Sequence, residues 1–177
     1  MTSLDLRGIF PPLPTSFDRD ENLQTEMIRF NIERLSQYDL AGFLILGSNG
    51  EQVMLSETEK IKAIAAAREA VPEGRILLAG TGCQSTRETI VLTRAAAAEG
   101  AHAVLVINPS YYRGNMNQDE LVRHYFDVAE ASPVPVLVYN MPANTGIDMT
   151  PKMIIAMAEH PNIIGLKESG GNVVKMG

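Results

Sequence analysis

Short, almost continuously apolar runs alternate along the chain with longer stretches of helical periodicity. The runs are Gly8–Leu13, Gly42–Leu46, Ile76–Ala79, His102–Ile107, Val134–Tyr139 and Ile163–Lys167. Apolar runs without polar alternation suit strands buried on both faces, as in a parallel sheet. Their starts lie 26–34 residues apart, room for one strand and one crossover helix.

The helices between the runs carry start and stop signals. Ser56-Glu57-Thr58-Glu59 and Ser85-Thr86-Arg87-Glu88 have the form of a capping box, in which serine and glutamate satisfy orphan amides. Asn117 with Glu120 is a weaker version, and Thr150-Pro151 supplies an N-cap followed by proline at the first helical position. Gly100 follows the alanine-rich helix 87–99, where a C-cap glycine belongs. No stretch reads as a linker, so the sequence predicts a single domain over 1–177.

Six βα units in strict alternation predict an α/β fold with a parallel sheet. An open doubly wound sheet and an incomplete (β/α)8 barrel (TIM barrel) both fit that rhythm. A nucleotide-binding doubly wound sheet favours GxGxxG directly after the first strand. Here the first run leads into Pro11-Pro12-Leu13-Pro14-Thr15, which is wrong for a tight turn into a helix. Gly80-Thr81-Gly82 lacks the third glycine and the later acidic partner, and reads as a strand-end turn.

Composition narrows the function classes. The 177 residues are 45% hydrophobic and 20% charged, as in an ordinary globular protein, with a formal net charge of −6. That acidity, with no Lys/Arg cluster, argues against a nucleic-acid partner. Cys83 is the one cysteine, which excludes an internal disulfide and fits a reducing compartment. No apolar run approaches the length of a membrane span, and the first residues have no secretory signal character. A cytoplasmic protein is the default expectation. His102, His124 and His160 are scattered with no metal-ligand spacing, so no metal and no cofactor are expected, and each reads as a strand-edge or helix-surface residue.

In parallel α/β folds ligands bind beyond the C-terminal ends of the strands. Polar residues gather there: Gly47-Ser48-Asn49-Gly50-Glu51, Asn108-Pro109-Ser110-Tyr111-Tyr112-Arg113-Gly114, Tyr139-Asn140-Met141-Pro142-Ala143-Asn144-Thr145-Gly146 and Lys167-Glu168-Ser169-Gly170-Gly171. Lys167 closes an apolar run. Burial there would disfavour the charged form of a lysine and free an amine to attack a ketone and form a Schiff base. The bland alternative is a strand-end lysine reaching solvent. The other four lysines look ordinary: Lys60 and Lys62 on a helix, Lys152 after a helix start, and Lys175 in a polar tail. Tyr139 on the neighbouring strand could shuttle protons during imine formation. The glycines around Ser48 and Asn49 let backbone amides approach a small carboxylate. Taken singly, Gly47–Gly50 could equally be a plain strand-to-helix turn, Tyr139 a strand-end aromatic, and Tyr111-Tyr112 lid packing.

Together the segments GIFPPLPTSF (8–17), GSNGE (47–51), LLAGTG (77–82), NPSYYRG (108–114), YNMPANTG (139–146) and IIGLKESGG (163–171) strongly resemble the dihydrodipicolinate synthase / N-acetylneuraminate lyase family of class I, pyruvate-dependent aldolases. The resemblance runs over essentially the whole chain. It implies a TIM barrel with Lys167 as the Schiff-base lysine and Tyr139 as the proton-shuttling tyrosine. It assigns the carboxylate of pyruvate to Ser48, Asn49 and Gly50, with Ser48 also in a proton relay. A further relay tyrosine, contributed by the neighbouring subunit of family dimers, maps to Tyr111 or Tyr112. A homodimer or homotetramer is implied.

Departures from the pattern bear on substrate. The resemblance leads one to expect paired threonines in the GTTGE loop and an arginine where this chain has Asn144. Without that cation, the grip on a second carboxylate or amino acid head group is lost, which argues against lysine biosynthesis. GSNGE, YYRG and PANTG look closest to 4-hydroxy-2-oxoglutarate aldolases, which yield pyruvate and glyoxylate. The expected substrate is therefore a small 2-oxo acid, with 2-keto-3-deoxy sugar-acid aldolases and dihydrodipicolinate synthase-like enzymes as alternatives. A complete barrel has eight strands, and six are legible, which leaves a reading of another class: an inactive fragment that acts, if at all, by associating with other subunits.

Overall fold

The computed structural model describes residues 4–176. Met1, Thr2 and Ser3 of the N-terminal stretch read above lie outside the described residues, as does Gly177. Along the chain come α1 (Thr25–Leu35), β1 (Gly42–Ile45), α2 (Glu57–Ala70), β2 (Ile76–Gly80), α3 (Thr86–Ala98), β3 (Ala103–Ile107), α4 (Gln118–Ala131), β4 (Val136–Asn140), α5 (Pro142–Thr145), α6 (Pro151–Ala158), β5 (Ile163–Glu168) and α7 (Val173–Met176). Five of the six apolar runs are strands, each within a residue or two of its predicted bounds.

The described residues fall into two compact units. The first holds the residues up to Ala79 together with Glu99–His102. In it β1 and β2 pair in parallel, Phe43 beside Leu77 and Ile45 beside Ala79. Leu13, Ile28, Ile32, Phe43, Ile45, Ile64 and Leu77 are fully buried and form its core. The second unit holds Gly80–Ala98 and the residues from Ala103 onward. Its strands pair in parallel in the order β3, β4, β5, with Val104 beside Val136 and Tyr139 beside Lys167. Tyr125, Leu121, Met149 and Met157 fill its interior between helices and sheet.

Gly8–Leu13 is not a strand. Pro11, Pro12 and Pro14 have no N–H to donate, so no regular ladder forms. The segment still runs alongside β1: Leu13 N–H donates to Leu44 O at 2.8 Å, Leu44 N–H donates to Pro11 O at 3.1 Å, and a single bridge joins Pro12 and Leu44.

The helix boundaries follow their caps. Ser56 and Glu59 complete a capping box: Ser56 Oγ accepts from Glu59 N–H at 3.3 Å and Glu59 Oε2 accepts from Ser56 N–H at 2.8 Å. Ser85 Oγ accepts from Glu88 N–H, and Asn117 Oδ1 from Glu120 N–H. Thr150 caps α6 by accepting from Met153 N–H at 3.3 Å. Gly100 turns the chain after α3 at φ +89°, a conformation open to glycine and strained for other residues.

Two expectations about burial need correction. β5 is not a fully buried strand: of its six residues only Ile163 is buried, and Ile164 is exposed. It ends the strand order of its unit, whereas β4, with a neighbour on each side, is buried throughout. His124 is not a helix-surface residue either. It lies on the inner face of α4, 5% exposed, its Nδ1 2.9 Å from Thr86 Oγ1. Among the described residues no helix is long and apolar enough to cross a membrane, and no cluster of His, Cys, Asp or Glu could hold a metal ion.

Candidate active site

β4 and β5 deliver their last residues side by side. The parallel register sets Tyr139 opposite Lys167, and Lys167 Nζ lies 4.3 Å from the centroid of the Tyr139 ring. Neighbouring residues in a parallel ladder point to the same face, so register alone brings phenol and amine together. Tyr139 is buried at 4% exposure, while Lys167 is half-buried. The amine thus has a buried wall on one side and access on the other.

One residue further on, Asn140 lies opposite Glu168. Asn140 is fully buried, and its Nδ2 donates to Glu168 Oε1 and Oε2 at 3.0 and 2.8 Å and to Asp148 Oδ1 at 2.8 Å. Its Oδ1 accepts from Met149 N–H at 3.0 Å, and its backbone carbonyl accepts from Ser169 N–H at 2.9 Å. Lys175 donates to the same two carboxylates, 2.8 Å from Glu168 Oε2 and in direct contact with Asp148 Oδ1. The Lys175 side chain is only 6% exposed. It is therefore no polar-tail lysine: two carboxylates and an amide compensate its burial.

The charges within this group hold one another ionised. Burial pushes the Glu168 carboxyl up, but the Lys175 ammonium, Gly170 N–H and the Asn140 amide together outweigh it and leave it below the usual range. Burial likewise pushes Lys175 down, and its bonds to Asp148 and Glu168 outweigh that and raise it. Lys175 and Asn140 lower the Asp148 carboxyl.

The other expected site residues lie on loops. In the first unit Ser48, Asn49 and Gly50 form a single 3-10 turn directly after β1, with Gly50 N–H donating to Gly47 O at 2.9 Å. Ser48 and Asn49 are exposed, and Gly50 is buried. Thr15 Oγ1 donates to Gly50 O at 2.6 Å, and a Cβ on Gly50 would stand 3.1 Å from Leu13 O. The glycine there allows the loop to press against the 11–15 segment. Leu46 and Glu51, bracketing the loop, are both left-handed at φ +57° and +52°. Such backbone costs a non-glycine residue about 1–2 kcal/mol and collects at functional loops. Nothing in the residue types announced it.

In the second unit Tyr111 and Tyr112 stack edge to face with centroids 4.9 Å apart, and stand 78% and 70% exposed. Their loop is held by Gln84 Oε1, which accepts from the N–H groups of Ser110 and Tyr111 at 2.9 Å each. Asn144 sits in the single turn α5, its side chain exposed and its N–H donating to Met141 O at 3.1 Å. The two residues singled out in the sequence, Tyr139 and Lys167, are ladder partners, while the polar group behind them was not expected, although Asn140 and Glu168 directly follow those residues in both strands.

Known proteins share both sequence and fold with this chain. Residues 5–177 match the model of the dihydrodipicolinate synthetase family. A probable mitochondrial 4-hydroxy-2-oxoglutarate aldolase of Emericella nidulans is 38% identical over 174 residues, 96% of this chain and 56% of its own length. An L-threo-3-deoxy-hexylosonate aldolase of Hypocrea jecorina is 39% identical over 175 residues, again 96% and 56%. Among solved structures, the chloride-inhibited dihydrodipicolinate synthase of Acinetobacter baumannii complexed with pyruvate superposes with a TM-score of 0.91 at 31% identity, covering 97% of this chain and 58% of that one. YagE, a prophage protein of E. coli K12 in complex with pyruvate, gives 0.90 at 34%, covering 97% and 57%. The chain spans a little over half the length of the curated relatives it matches. Over that part it has the fold of these TIM-barrel proteins, an incomplete (β/α)8 barrel as expected from the sequence. The chain belongs to the dihydrodipicolinate synthetase family.

Proposed function

We propose that this protein works as a Schiff-base-forming aldolase that cleaves a 4-hydroxy-2-oxo acid, with 4-hydroxy-2-oxoglutarate as the first candidate, to pyruvate and an aldehyde. The observation that carries this reading is the pairing of Lys167 Nζ with the Tyr139 ring, 4.3 Å apart at the ends of adjacent parallel strands. A half-buried amine beside a buried phenol is the minimum that imine chemistry needs.

In this reading the Lys167 amine attacks the C2 carbonyl. A proton passed through Tyr139 lets the carbinolamine lose water and become a protonated imine. Tyr139 and its relay then take the proton from the 4-hydroxyl. The C3–C4 bond breaks, the aldehyde leaves, and the imine accepts the electron pair as an enamine. Protonation at C3 and hydrolysis of the imine release pyruvate and restore the amine. On the strength of the family resemblance, Ser48, Asn49 and Gly50 are assigned the substrate carboxylate, with Ser48 in the relay. Tyr111 or Tyr112 is assigned a relay position in a neighbouring subunit of a homodimer or homotetramer, and their exposure suits that role. Asn144 is assigned to the aldehyde end of the substrate.

Borohydride reduction in the presence of pyruvate tests the reading: Lys167 gains a pyruvyl mass, and Lys167→Ala gains none. Folded protein with unmodified Lys167 would sink it. The Hypocrea jecorina relative supports a second substrate class, 2-keto-3-deoxy sugar acids. A panel of both classes, scored by pyruvate release, separates the two.

A further inference from the structure

We propose that Lys175, Asp148, Glu168 and Asn140 form a positioning clasp that holds Tyr139 and Lys167 in register from the opposite face of the strands. This rests on the reading of Lys167 as the imine-forming amine, and extends it to residues that touch no substrate.

Tyr139 pairs with Lys167, and the next pair, Asn140 with Glu168, ends the ladder. Successive side chains leave a strand on opposite faces, so the second pair stands behind the first. A strand end ordinarily frays, because its last residues have few partners. Here the last pair is tied four ways: Asn140 Nδ2 to both Glu168 oxygens and to Asp148, Asn140 Oδ1 to Met149 N–H, Asn140 O to Ser169 N–H, and Lys175 to both carboxylates.

The chemistry of the four groups shows why Lys175 is needed. Asn140 carries two N–H donors facing two carboxylates, and it is fully buried. The Glu168 side chain is 5% exposed, so its charge needs a close cation. Lys175 supplies that cation while itself 6% exposed. Without it, Glu168 and Asp148 would share one amide as like charges, and one of them would swing towards solvent. Releasing Glu168 frees the residue directly after Lys167, and a misplacement of about 1 Å at a reacting group lowers rate up to about a hundredfold.

The test compares Lys175→Met, Lys175→Arg and Asp148→Asn with the unaltered protein. The first readout is the rate of the borohydride-trapped pyruvyl adduct at Lys167 against pyruvate concentration. The second is amide exchange at Ser169 N–H, which needs no activity. Lys175→Met is expected to lower the maximal trapping rate at least tenfold, leave the half-saturating pyruvate concentration within about twofold, and speed Ser169 exchange at least tenfold. Lys175→Arg restores most of both, and Asp148→Asn, altering the exposed corner of the clasp, falls between. Should Lys175→Met fail to fold, the Asp148→Asn and Lys175→Arg results decide. Trapping and exchange unchanged in the folded variants would overturn the clasp. So would equal losses in Lys175→Met and Lys175→Arg, or a loss confined to pyruvate affinity. If the unaltered protein traps no pyruvate, the aldolase reading fails, and Ser169 exchange alone still decides whether the clasp holds the strand ends.

Discussion

Lys167 Nζ rests 4.3 Å from the centroid of the Tyr139 ring, on the face of an aromatic that is only 4% exposed. The two residues are ladder partners, so their approach is set by backbone pairing and does not depend on a flexible loop finding its place. Sites built on strands hold geometry more tightly than sites built on loops.

That relationship makes Tyr139→Phe a clean substitution. The ring face beneath Nζ stays, and only the phenol oxygen is removed. A shuttle role predicts a loss in kcat of about 10²–10³-fold for pyruvate release from 4-hydroxy-2-oxoglutarate. Lys167 should still be trapped by borohydride, more slowly. A variant with full kcat would remove Tyr139 from the proton path.

Backbone strain beside the 48–50 turn gives a prediction about stability. Glu51 is exposed and left-handed at φ +52°. Glycine takes that conformation without a Cβ penalty, while alanine carries it. Glu51→Gly should therefore be more stable than Glu51→Ala by about 1 kcal/mol, although glycine in most positions is the weaker choice. Urea unfolding of the two variants checks it, and the reverse order would mean that the turn relaxes in solution.

What the sequence could show follows from where the information is local. Strand runs, capping boxes and Gly100 depend on neighbouring residues, and they stand where expected. Lys167 and Tyr139 were legible for the same reason, since each closes an apolar run. The 8–13 run misled because its apolar character said strand while its prolines removed the donors a ladder needs. Lys175 was illegible because its partners lie 7 and 27 residues away and meet it only through tertiary packing. His124 was misread because one histidine on an amphipathic helix does not reveal which face it takes. The left-handed Leu46 had no signal at all.

Tyr125 joins α4 to the sheet of the second unit through its buried hydroxyl, which also takes a backbone hydrogen bond from Tyr139. Its ring is fully buried, and its hydroxyl donates to Val106 O at 2.9 Å. Burial raises this phenol well above its ordinary value, so it stays neutral at any working pH. Tyr125→Phe keeps the packing and takes a partner from both Val106 O and the Tyr139 backbone N–H, for a cost of about 1–2 kcal/mol. A Tm shift of a few degrees checks that figure.

His124 sets the acid limit of the fold. Burial pushes its imidazole down to about 4, against a smaller opposing pull from Asp127. Its Nδ1 faces Thr86 Oγ1, and its Nε2 is buried with no hydrogen-bond partner among the described residues. The folded protein thus keeps this ring neutral, while the unfolded chain protonates it near 6.5. Between those two values the unfolded state binds more protons, so stability falls as pH drops. The contribution is complete above about pH 6.5, shrinks steadily below it, and levels off beneath about pH 4. Its full size is about 3 kcal/mol, because each pH unit between the folded and unfolded values is worth roughly 1.4 kcal/mol. His124→Gln cannot take up that proton. Urea unfolding between about pH 7 and about pH 4.5 should therefore show the unaltered protein losing about 2 kcal/mol more than the variant. Parallel losses in the two proteins would remove His124 as the source of the acid sensitivity in this range.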